Sequence, residues 1–462
     1  MTDLRATAAD AARRIEACEA KGLHAFTSWS KQVLDAQAAR QAPPADDALL
    51  AGQAVAVKAN ICDADYESDC GSKILEGWKS PFEATALRRL REHGAIVAGK
   101  TTCDEFGMGS STEHSAYGPA RNPFDTSRVP GGSSGGSAVA VAAGAVDVAL
   151  GTETGGSVRQ PAAFCGVVGI KPTYGRVSRY GVVAFGSSLD QIGVFGKDVK
   201  SAARCLSAIS GRDDRDPTTL DRVPLTPPGE APTSLKGTVI GVPKEYFPDG
   251  LHAGIKKACD RAMDTLRGLG AELRPVSLPH SKYAIPTYYI IAPAEASSNL
   301  ARYDGVRYGA RQGGPDVHAL FRNTRGKGFG AEVRRRVMLG TYVLSAGYYD
   351  AYYRQAQRVR ARIRADFDQV FASGVHALFT PTTPTPAFKF GENVNDPVAM
   401  YLSDVFVCTA NLAQICAMSL PIGRDQGLPL GGQLLGAAEG ETTMIRIAQA
   451  LEAAIDGTAE VR

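Results

Sequence analysis

The segment 131–172 reads GGSSGGSAVAVAAGAVDVALGTETGGSVRQPAAFCGVVGIKP. It contains two glycine–serine clusters, GGSSGGS and TGGS, joined by a run of small residues. Because glycine allows tight turns, each cluster can aim several backbone N–H groups and a serine hydroxyl at one place. We therefore predict that this segment supplies a nucleophile and an oxyanion site, and that the rest of the chain forms the scaffold, the substrate pocket and a third catalytic group.

The sequence on both sides of this segment predicts an α/β fold. Upstream, residues 82–106 show a helical pattern that stops at a glycine and continues as an apolar strand. Downstream, the apolar run 237–243 is followed by an amphipathic pattern over 251–270 and then by another strand. Such alternation of strands and helices is typical of a central sheet flanked by helices.

Two further segments have helical patterns, and we treat 1–462 as a single domain that includes both. Residues 1–41 are rich in Ala, Arg, Glu and Gln and predict N-terminal helices. Residues 286–371 are rich in Tyr and Arg and predict a helical subregion that covers the pocket. The arginines in 334–364 resemble a nucleic-acid patch, but they alternate with apolar and acidic residues at helical spacing. A solvated helix face is therefore the favoured interpretation.

Composition narrows the class of protein. The chain has 462 residues, 44% of them hydrophobic, and a formal net charge of only +3, which gives no electrostatic signature of a nucleic-acid binder. It has no apolar run of membrane-spanning length and no apolar signal core, so we expect a soluble, cytoplasmic protein without membrane contact. The nine cysteines form no CxxC pair, and no histidine pair has metal-ligand spacing. We expect buried, reduced thiols and no catalytic metal.

Glycine-rich loops also bind phosphate, so that alternative was considered first. Neither G-x-x-x-x-G-K-[ST] nor G-x-G-x-x-G occurs in the segment. A bare anion site where GGSSGGS precedes a helical run stays open as an alternative. Cys165 is a candidate thiol nucleophile, but no neighbouring His or Lys in the sequence would lower its pKa.

A hydrolase site explains more of these residues. Ser157 follows two glycines, and the backbone N–H groups of Thr154, Gly155, Gly156 and Ser157 could form an oxyanion hole. The nucleophile needs a base, and no histidine-based triad is evident. Lys58 ends the apolar run AVAVK, where burial would keep it neutral; the alternative is a lysine that reaches solvent from a strand end.

These motifs carry a family resemblance. GGSSGGSAVAVAAG and GTETGGSVRQPAAFCGVVGIKPT, with AVAVKANI upstream, resemble the amidase signature family. The resemblance implies a mixed central β-sheet flanked by helices and a Ser-Ser-Lys acyl-enzyme mechanism. Lys58 then corresponds to the family's lysine, Ser133 to a bridging serine on a cis Gly132–Ser133 peptide, and Ser157 to the nucleophile. Ser134 would support this network, with a simple turn-forming role as the alternative.

Stretches outside these motifs, 171–193, 295–309, 328–353 and 395–404, resemble one branch of the family, the glutaminase subunits of tRNA-dependent amidotransferases. This resemblance implies hydrolysis of glutamine, with ammonia passed on to convert Glu-tRNA(Gln) to Gln-tRNA(Gln) and possibly Asp-tRNA(Asn) to Asn-tRNA(Asn). It also implies a heterotrimer with the amidotransferase subunits B and C, in which a partner uses ATP and Mg and the B subunit provides most of the contacts to misacylated tRNA. The chain itself would need no cofactor.

A glutamine pocket needs a fixed acid for the α-ammonium and a fixed base for the α-carboxylate. By motif position the resemblance assigns Asp404 to the ammonium, Arg336 to the carboxylate and Tyr288 to the pocket wall, with Arg335 and Tyr289 as one-residue alternatives. Without the resemblance, Arg336 is a helix-surface ion pair and Tyr288 a core aromatic. A free-standing amidase acting on a small amide, and a non-catalytic scaffold protein, are the competing functions.

Overall fold

The computed structural model describes residues 3–42, 44–45, 47–221, 225–394 and 396–455. The remaining positions of the predicted domain 1–462, including the first residue of the stretch 395–404, lie outside the described residues. The described chain builds one eleven-stranded sheet in the order β1-β3-β2-β4-β6-β5-β10-β11-β9-β7-β8. The sheet contains parallel and antiparallel neighbours and has helices around it, which confirms the predicted mixed α/β class.

The strands are β1 (Phe26–Ser28), β2 (Ala54–Lys58), β3 (Ile96–Thr101), β4 (Val148–Glu153), β5 (Val168–Lys171), β6 (Gln191–Gly196), β7 (Val239–Pro243), β8 (Glu272–Val276), β9 (Ala377–Pro381), β10 (Ala417–Asp425) and β11 (Leu428–Gly436). The α-helices are α1 (Leu4–Glu19), α2 (Lys31–Arg40), α3 (Thr85–Glu92), α4 (Gly135–Ala142), α5 (Arg159–Cys165), α6 (Val199–Ile209), α7 (Ala253–Gly268), α8 (Ala284–Asn299), α9 (Val317–Gly328), α10 (Ala331–Leu344), α11 (Gln355–Ala372), α12 (Pro397–Leu402), α13 (Cys408–Leu412) and α14 (Glu441–Ile455).

The N-terminal segment contains a strand as well as helices. Between α1 and α2, the three-residue strand β1 pairs antiparallel with β3 at the edge of the sheet. Three residues are too few to produce a periodic pattern, so the sequence predicted only helices over 1–41. Buried residues of α1 and α2 share a hydrophobic cluster with α4 and with one face of β3 and β4. These helices therefore cover one face of the sheet beneath the central segment.

The predicted helical subregion corresponds to α8, α9, α10 and α11, with a π-helical turn over Tyr349–Arg354. Helix α8 packs against both α10 and α11. Most of the arginines on α10 and α11 are exposed, as a solvated helix face requires, but Arg336 is buried. That exception brings one arginine from this subregion to the site described below.

The apolar interior accounts for the cysteines. All nine are free thiols and buried. No helix of the described residues has the length and apolar character needed to cross a lipid bilayer.

Candidate active site

Two parallel neighbouring strands end at the centre of the site. Strands β2 and β4 pair in parallel, with Val57 opposite Leu150, so their carboxyl ends lie at the same edge of the sheet. Loops that follow such strand ends are where open α/β sheets commonly place ligands. Lys58 is the last residue of β2, and the turn 154–157 follows β4 directly. The sheet thus brings together two motifs that are far apart in sequence.

Lys58 is completely buried, so it does not reach solvent from the strand end. Its Nζ lies 2.7 Å from Ser133 Oγ and 3.3 Å from the carbonyl oxygen of Thr152. Burial, which disfavours the ammonium form, lowers the pKa of Lys58 from 10.5 to about 8. A lysine in this state can be neutral near physiological pH and can accept a proton from a hydroxyl.

Ser133 lies in the loop before α4, and the Gly132–Ser133 peptide bond is cis, as the resemblance implied. Two contacts fix this loop. The N–H of Gly132 donates to Gln160 Oε1 at 3.0 Å, and the N–H of Asp104 donates to the carbonyl of Ser133 at 3.2 Å. The backbone of Gly107 comes so close that a Cβ there would lie 3.5 Å from Ser133 Oγ. Ser133 is therefore held in a tightly packed position.

Ser134 braces the end of β4. Its hydroxyl lies 3.0 Å from the carbonyl oxygen of Thr152 and accepts from the N–H of Thr152 at 3.3 Å. The same carbonyl receives Lys58 Nζ. Ser134 is thus connected to Lys58 through the carbonyl of Thr152, which is compatible with the predicted supporting role.

The turn 154–157 follows β4 and carries the backbone N–H groups of the predicted oxyanion hole. Thr154 is anchored by its hydroxyl, which donates to Asp190 Oδ1 at 2.6 Å. Gly156 has φ +145°, a backbone conformation that favours glycine. Among the hydrogen bonds within the described part of the chain, none has the N–H of Gly155, Gly156 or Ser157 as its donor. These N–H groups are available for the predicted oxyanion hole.

Ser157 is the most accessible of the three proposed catalytic side chains, at 9% exposure against 0% for Lys58 and 1% for Ser133. Its carbonyl accepts from the N–H of Ser134 at 3.2 Å, which joins the two glycine–serine clusters. A nucleophile must contact its substrate, whereas its base must be shielded from water. The higher exposure of Ser157 than of Lys58 meets both requirements.

A buried ion pair, which the sequence analysis missed, supports the turn 154–157. Glu153 Oε1 accepts from Arg159 Nε at 2.9 Å, and Glu153 Oε2 accepts from the N–H of Val158 at 3.1 Å. Arg159 also donates to Gln433 Oε1 on β11 and to Asn411 Oδ1 on α13. Both charged side chains are fully buried. An arginine inside the apolar run VRQPAAF was the available signal, because a buried charge needs a partner.

The turn also meets two of the predicted pocket residues. The ring of Tyr288, on α8, lies against Gly155 so closely that a Cβ there would be 2.5 Å from it. Asp404 lies beside Gly156, where a Cβ would be 3.3 Å from Asp404 Oδ1. Asp404 Oδ2 accepts from Ser110 Oγ at 2.6 Å, whereas its buried Oδ1 has no hydrogen-bond partner. Burial raises the pKa of Asp404 to about 7.

Arg336 lies among aromatic rings, and Tyr289, on the same helix as Tyr288, is one of the rings that face it. The guanidinium is 5.4 Å from the ring centre of Tyr289 and within 6 Å of the rings of Phe185 and Tyr401. Glu332 accepts from Arg336 Nε at 2.8 Å. The charge of Arg336 acts to lower the pKa of Asp404, so the two groups share one electrostatic environment.

The alternative assignments differ in their surroundings. Arg335 is half-exposed and pairs with Glu332 at the surface, so burial favours Arg336 for the pocket. Tyr288 and Tyr289 are both buried and meet edge to face. Tyr288 contacts Gly155 in the turn 154–157, whereas Tyr289 stacks on Tyr401 with ring centres 3.7 Å apart. The two tyrosines therefore have different neighbours, Tyr288 the turn 154–157 and Tyr289 the ring of Tyr401.

Two other predicted alternatives find no support in the geometry. The Cys165 thiol is buried and donates to the carbonyl of Pro130 at 3.3 Å, and burial raises its pKa. The start of α4 leaves no room for an anion, since the N–H of Gly136 donates to Thr102 and a Cβ on Gly136 would lie 2.5 Å from backbone atoms. The described residues contain no group of three or more His, Cys, Asp or Glu side chains placed to hold a metal ion.

The contact of Lys58 with Ser133 and the cis Gly132–Ser133 peptide bond agree with the family resemblance, whereas no hydrogen bond joins the hydroxyls of Ser133 and Ser157 within the described residues. A family model described as Amidase matches residues 7–445. The chain belongs to the amidase family.

Among its relatives, the chain is 54% identical to the A subunit of glutamyl-tRNA(Gln) amidotransferase from Carboxydothermus hydrogenoformans, over 95% of this chain and 91% of that protein. The crystal structure of a protein with the same name from Thermotoga maritima is similar with a TM-score of 0.80 and 43% identity, covering 98% of this chain and 91% of that one. The peptide amidase of Stenotrophomonas maltophilia has a TM-score of 0.81 and 30% identity, covering 100% of this chain and 95% of that one. Amidases with different substrates thus share this architecture.

Proposed function

We propose that this chain is the glutamine-hydrolysing component of a tRNA-dependent amidotransferase, with Ser157 as nucleophile, Ser133 as bridging hydroxyl and Lys58 as base. The observation that carries the chemistry is the 2.7 Å contact between a fully buried, pKa-lowered lysine and the Ser133 hydroxyl beside a Gly-Gly-Ser turn. The relatives named as the A subunit of glutamyl-tRNA(Gln) amidotransferase, at 53% to 54% identity over almost the whole chain, support the assignment to glutamine rather than to another amide.

The proposed reaction begins with a proton relay. Ser157 Oγ attacks the side-chain amide carbon of glutamine while its proton passes to Ser133 Oγ, and the proton of Ser133 passes to neutral Lys58. The oxyanion that forms is stabilised by the free N–H groups of the turn 155–157, each worth about 10²–10³-fold in rate in comparable sites. When the C–N bond breaks, the relay runs backwards and protonates the leaving amine, which departs as ammonia.

The second half of the reaction uses the same groups. Water attacks the acyl ester on Ser157, and Lys58 takes its proton through Ser133. Collapse of the second oxyanion breaks the ester bond, the relay returns the proton to Ser157 Oγ, and glutamate leaves. In this proposal the base, the acid and the oxyanion donors all come from the chain itself, so we propose no cofactor in this subunit.

Substrate selection falls to the other side of the pocket. We assign the α-ammonium of glutamine to Asp404, whose Oδ1 is buried without a partner, and the α-carboxylate to Arg336. We assign Tyr288, whose ring packs against Gly155, to the pocket wall next to the turn 154–157. An ammonium beside Oδ1 satisfies a carboxylate oxygen that otherwise bears a desolvation cost, so binding is coupled to ionisation of Asp404.

We further propose that the ammonia is used by partner subunits B and C of a cytoplasmic heterotrimer. There, ATP and Mg bound by a partner would activate the misacylated tRNA, which would itself bind mainly to the B subunit. Glu-tRNA(Gln) is the primary acceptor in this proposal because the relatives' name specifies it. Asp-tRNA(Asn) is a second acceptor of the same chemistry.

The decisive experiment measures ammonia release from L-glutamine by the chain alone and in complex with its subunits B and C, with Glu-tRNA(Gln). We expect strong stimulation by the partners. The Ser157→Ala complex should release no ammonia from glutamine yet still form Gln-tRNA(Gln) when free ammonium is supplied. Rapid turnover of unrelated amides by the chain alone, with glutamine ignored, would establish a free-standing amidase instead.

A further inference from the structure

Asn60 is a buried polar residue beside the proposed base, and the proton relay described above does not use it. Its side chain is only 3% exposed, and its Nδ2 donates to Thr152 Oγ1 at 2.9 Å. Its carbonyl oxygen Oδ1 is buried without a hydrogen-bond partner among the residues that the structure describes. An unpartnered buried acceptor is uncommon, because it loses its hydrogen bonds to water and gains none in return.

Asn60 and Lys58 share two points of contact. Both bond to Thr152, Lys58 to the backbone oxygen and Asn60 to the side-chain hydroxyl. A Cβ placed on Gly107 would lie 3.9 Å from Lys58 Nζ, 4.0 Å from Asn60 Nδ2 and 3.5 Å from Ser133 Oγ. The amide of Asn60 therefore borders the same small space as the lysine and the bridging serine.

The proton relay creates a need that this space can meet. Neutral Lys58 has a lone pair for the Ser133 proton and two N–H groups, whereas the ammonium has three N–H groups. Two of these have acceptors, Ser133 Oγ and the carbonyl of Thr152. The third N–H is a buried, charged donor, and leaving it without an acceptor is costly.

The acidic groups around Lys58 do not supply that acceptor. Cys103 and Asp104, which follow β3, Asp190, which precedes β6, and Cys70 all act on the lysine through charge. The carboxylate of Asp104 accepts from three backbone N–H groups of the loop 111–114. That of Asp190 accepts from the Thr154 hydroxyl and from the N–H groups of residues 185 and 186. No hydrogen bond joins any of these groups to Nζ within the described residues.

We propose that Asn60, whose Nδ2 borders this space, is a positioning residue for Lys58, and that a rotation of its side-chain amide lets Oδ1, which does not contact Nζ in this structure, accept the third N–H when the lysine holds the proton. The inference rests on the proposed proton relay and not on the identity of the amide substrate. It assigns a purpose to the one oxygen of Asn60 that is otherwise unused. The lysine presents an N–H in this direction in both protonation states, but the hydrogen bond from the ammonium is charge-assisted and therefore stronger, so it stabilises the charge that develops as Ser157 attacks.

The test uses the variants Asn60→Ala and Asn60→Asp and measures how fast a fluorophosphonate probe labels Ser157 as a function of pH. Labelling needs the Ser157 proton to be removed but does not need glutamine. Without Oδ1 the ammonium is less stable, so in Asn60→Ala the pH of half-maximal labelling should fall, by about half to one unit, while the maximal rate falls about tenfold. In Asn60→Asp the added negative charge should raise that pH.

Asn122→Ala is the matched control, because Asn122 is a fully buried asparagine whose side chain bonds only to backbone groups among the described residues: its Nδ2 donates to the carbonyls of Val129 and Phe164, and its Oδ1 accepts from the N–H of Phe124. It should lower stability and leave the midpoint pH unchanged. A slower Asn60→Ala enzyme with the wild-type midpoint would overturn the inference, since a purely structural role predicts that result. Wild-type protein that is not labelled at Ser157 would overturn it together with the proposed relay. Labelling without glutamine hydrolysis would refute the proposed substrate alone.

Discussion

Two lysines at strand ends of the same sheet have similar burial and different surroundings. Lys58 ends β2 and Lys171 ends β5, and both are completely buried. Burial lowers the pKa of Lys58 to about 8 and that of Lys171 to about 7. By burial and pKa alone, Lys171 is the better candidate for a neutral base.

Their hydrogen-bond partners separate them. Lys58 Nζ contacts the hydroxyl of Ser133, which can pass a proton on, and this hydroxyl lies beside a turn with free N–H groups. Lys171 Nζ donates to the backbone carbonyls of Pro172 and Ile415, which can accept a hydrogen bond but cannot relay a proton. A lowered pKa therefore marks a buried lysine, and the group that faces it decides whether it can act as a base.

The sharpest test of this comparison replaces each lysine by methionine. Lys58→Met should lower glutamine hydrolysis by about 10⁴-fold or more, because the relay then has no terminal base. Lys171→Met should leave the rate per folded molecule within about twofold and instead lower the free energy of unfolding by about 1–3 kcal/mol, since two carbonyls lose their donor. Ammonia release and urea unfolding of both variants measure the two effects. Equal loss of activity in both lysine variants would show that the hydrogen-bond partners of these lysines do not decide which one acts as the base.

The comparison extends to two buried carboxylates near the site. Asp104 uses its oxygens on backbone N–H groups, whereas Asp404 has one oxygen without a partner. Asp404→Asn should therefore reduce kcat/KM for glutamine by about 10²-fold, the usual scale for losing a charged substrate contact, but change hydrolysis of a simple amide without an α-ammonium only slightly.

Steady-state kinetics on both substrates check this prediction for Asp404. Arg335→Gln is the control, because that half-exposed arginine lies outside the pocket and its loss should alter neither rate appreciably. Equal losses on both substrates in Asp404→Asn would exclude Asp404 from ammonium binding.

The two titrating groups predict separate pH effects. Lys58 must be neutral to accept a proton, so kcat for glutamine should rise with pH up to about 8 and then level off. Asp404 must be ionised to bind an ammonium, so KM for glutamine should increase as pH falls below about 7, by up to about tenfold per unit. Initial rates from about pH 5.5 to about 9.5 test both, a range that brackets the two pKa values.

The variants assign each pH effect to its group. Asp404→Asn should abolish the dependence of KM on pH below about 7 while retaining the rise of kcat, and Lys171→Met should retain both. A KM that stays constant throughout the acidic range in the wild-type protein would contradict the assignment of Asp404.

Sequence reasoning reached the strand–helix alternation and the placement of Lys58, Ser133 and Ser157, because each depends on a local pattern or on a long motif. It did not reach Asn60, or the Glu153–Arg159 pair with its contacts on β11 and α13. Glu153 and Arg159 are near in sequence, but the contacts of Arg159 with Gln433 and Asn411, and that of Asn60 with Thr152, join residues that only the folded chain brings together. The sequence also could not predict which of Tyr288 and Tyr289 contacts the turn 154–157, since neighbouring aromatic residues on one helix differ only in what surrounds them.

The proton relay and the recognition of the substrate are assigned to two different parts of the chain. The proposed proton relay comes entirely from residues 58–157, carried by β2, β4 and the loop before α4. The side chains proposed to recognise the substrate lie between residues 288 and 404, on α8, α10 and the segment after α12. Substitutions between residues 288 and 404 can therefore change which amide is bound while the proposed relay in residues 58–157 stays the same.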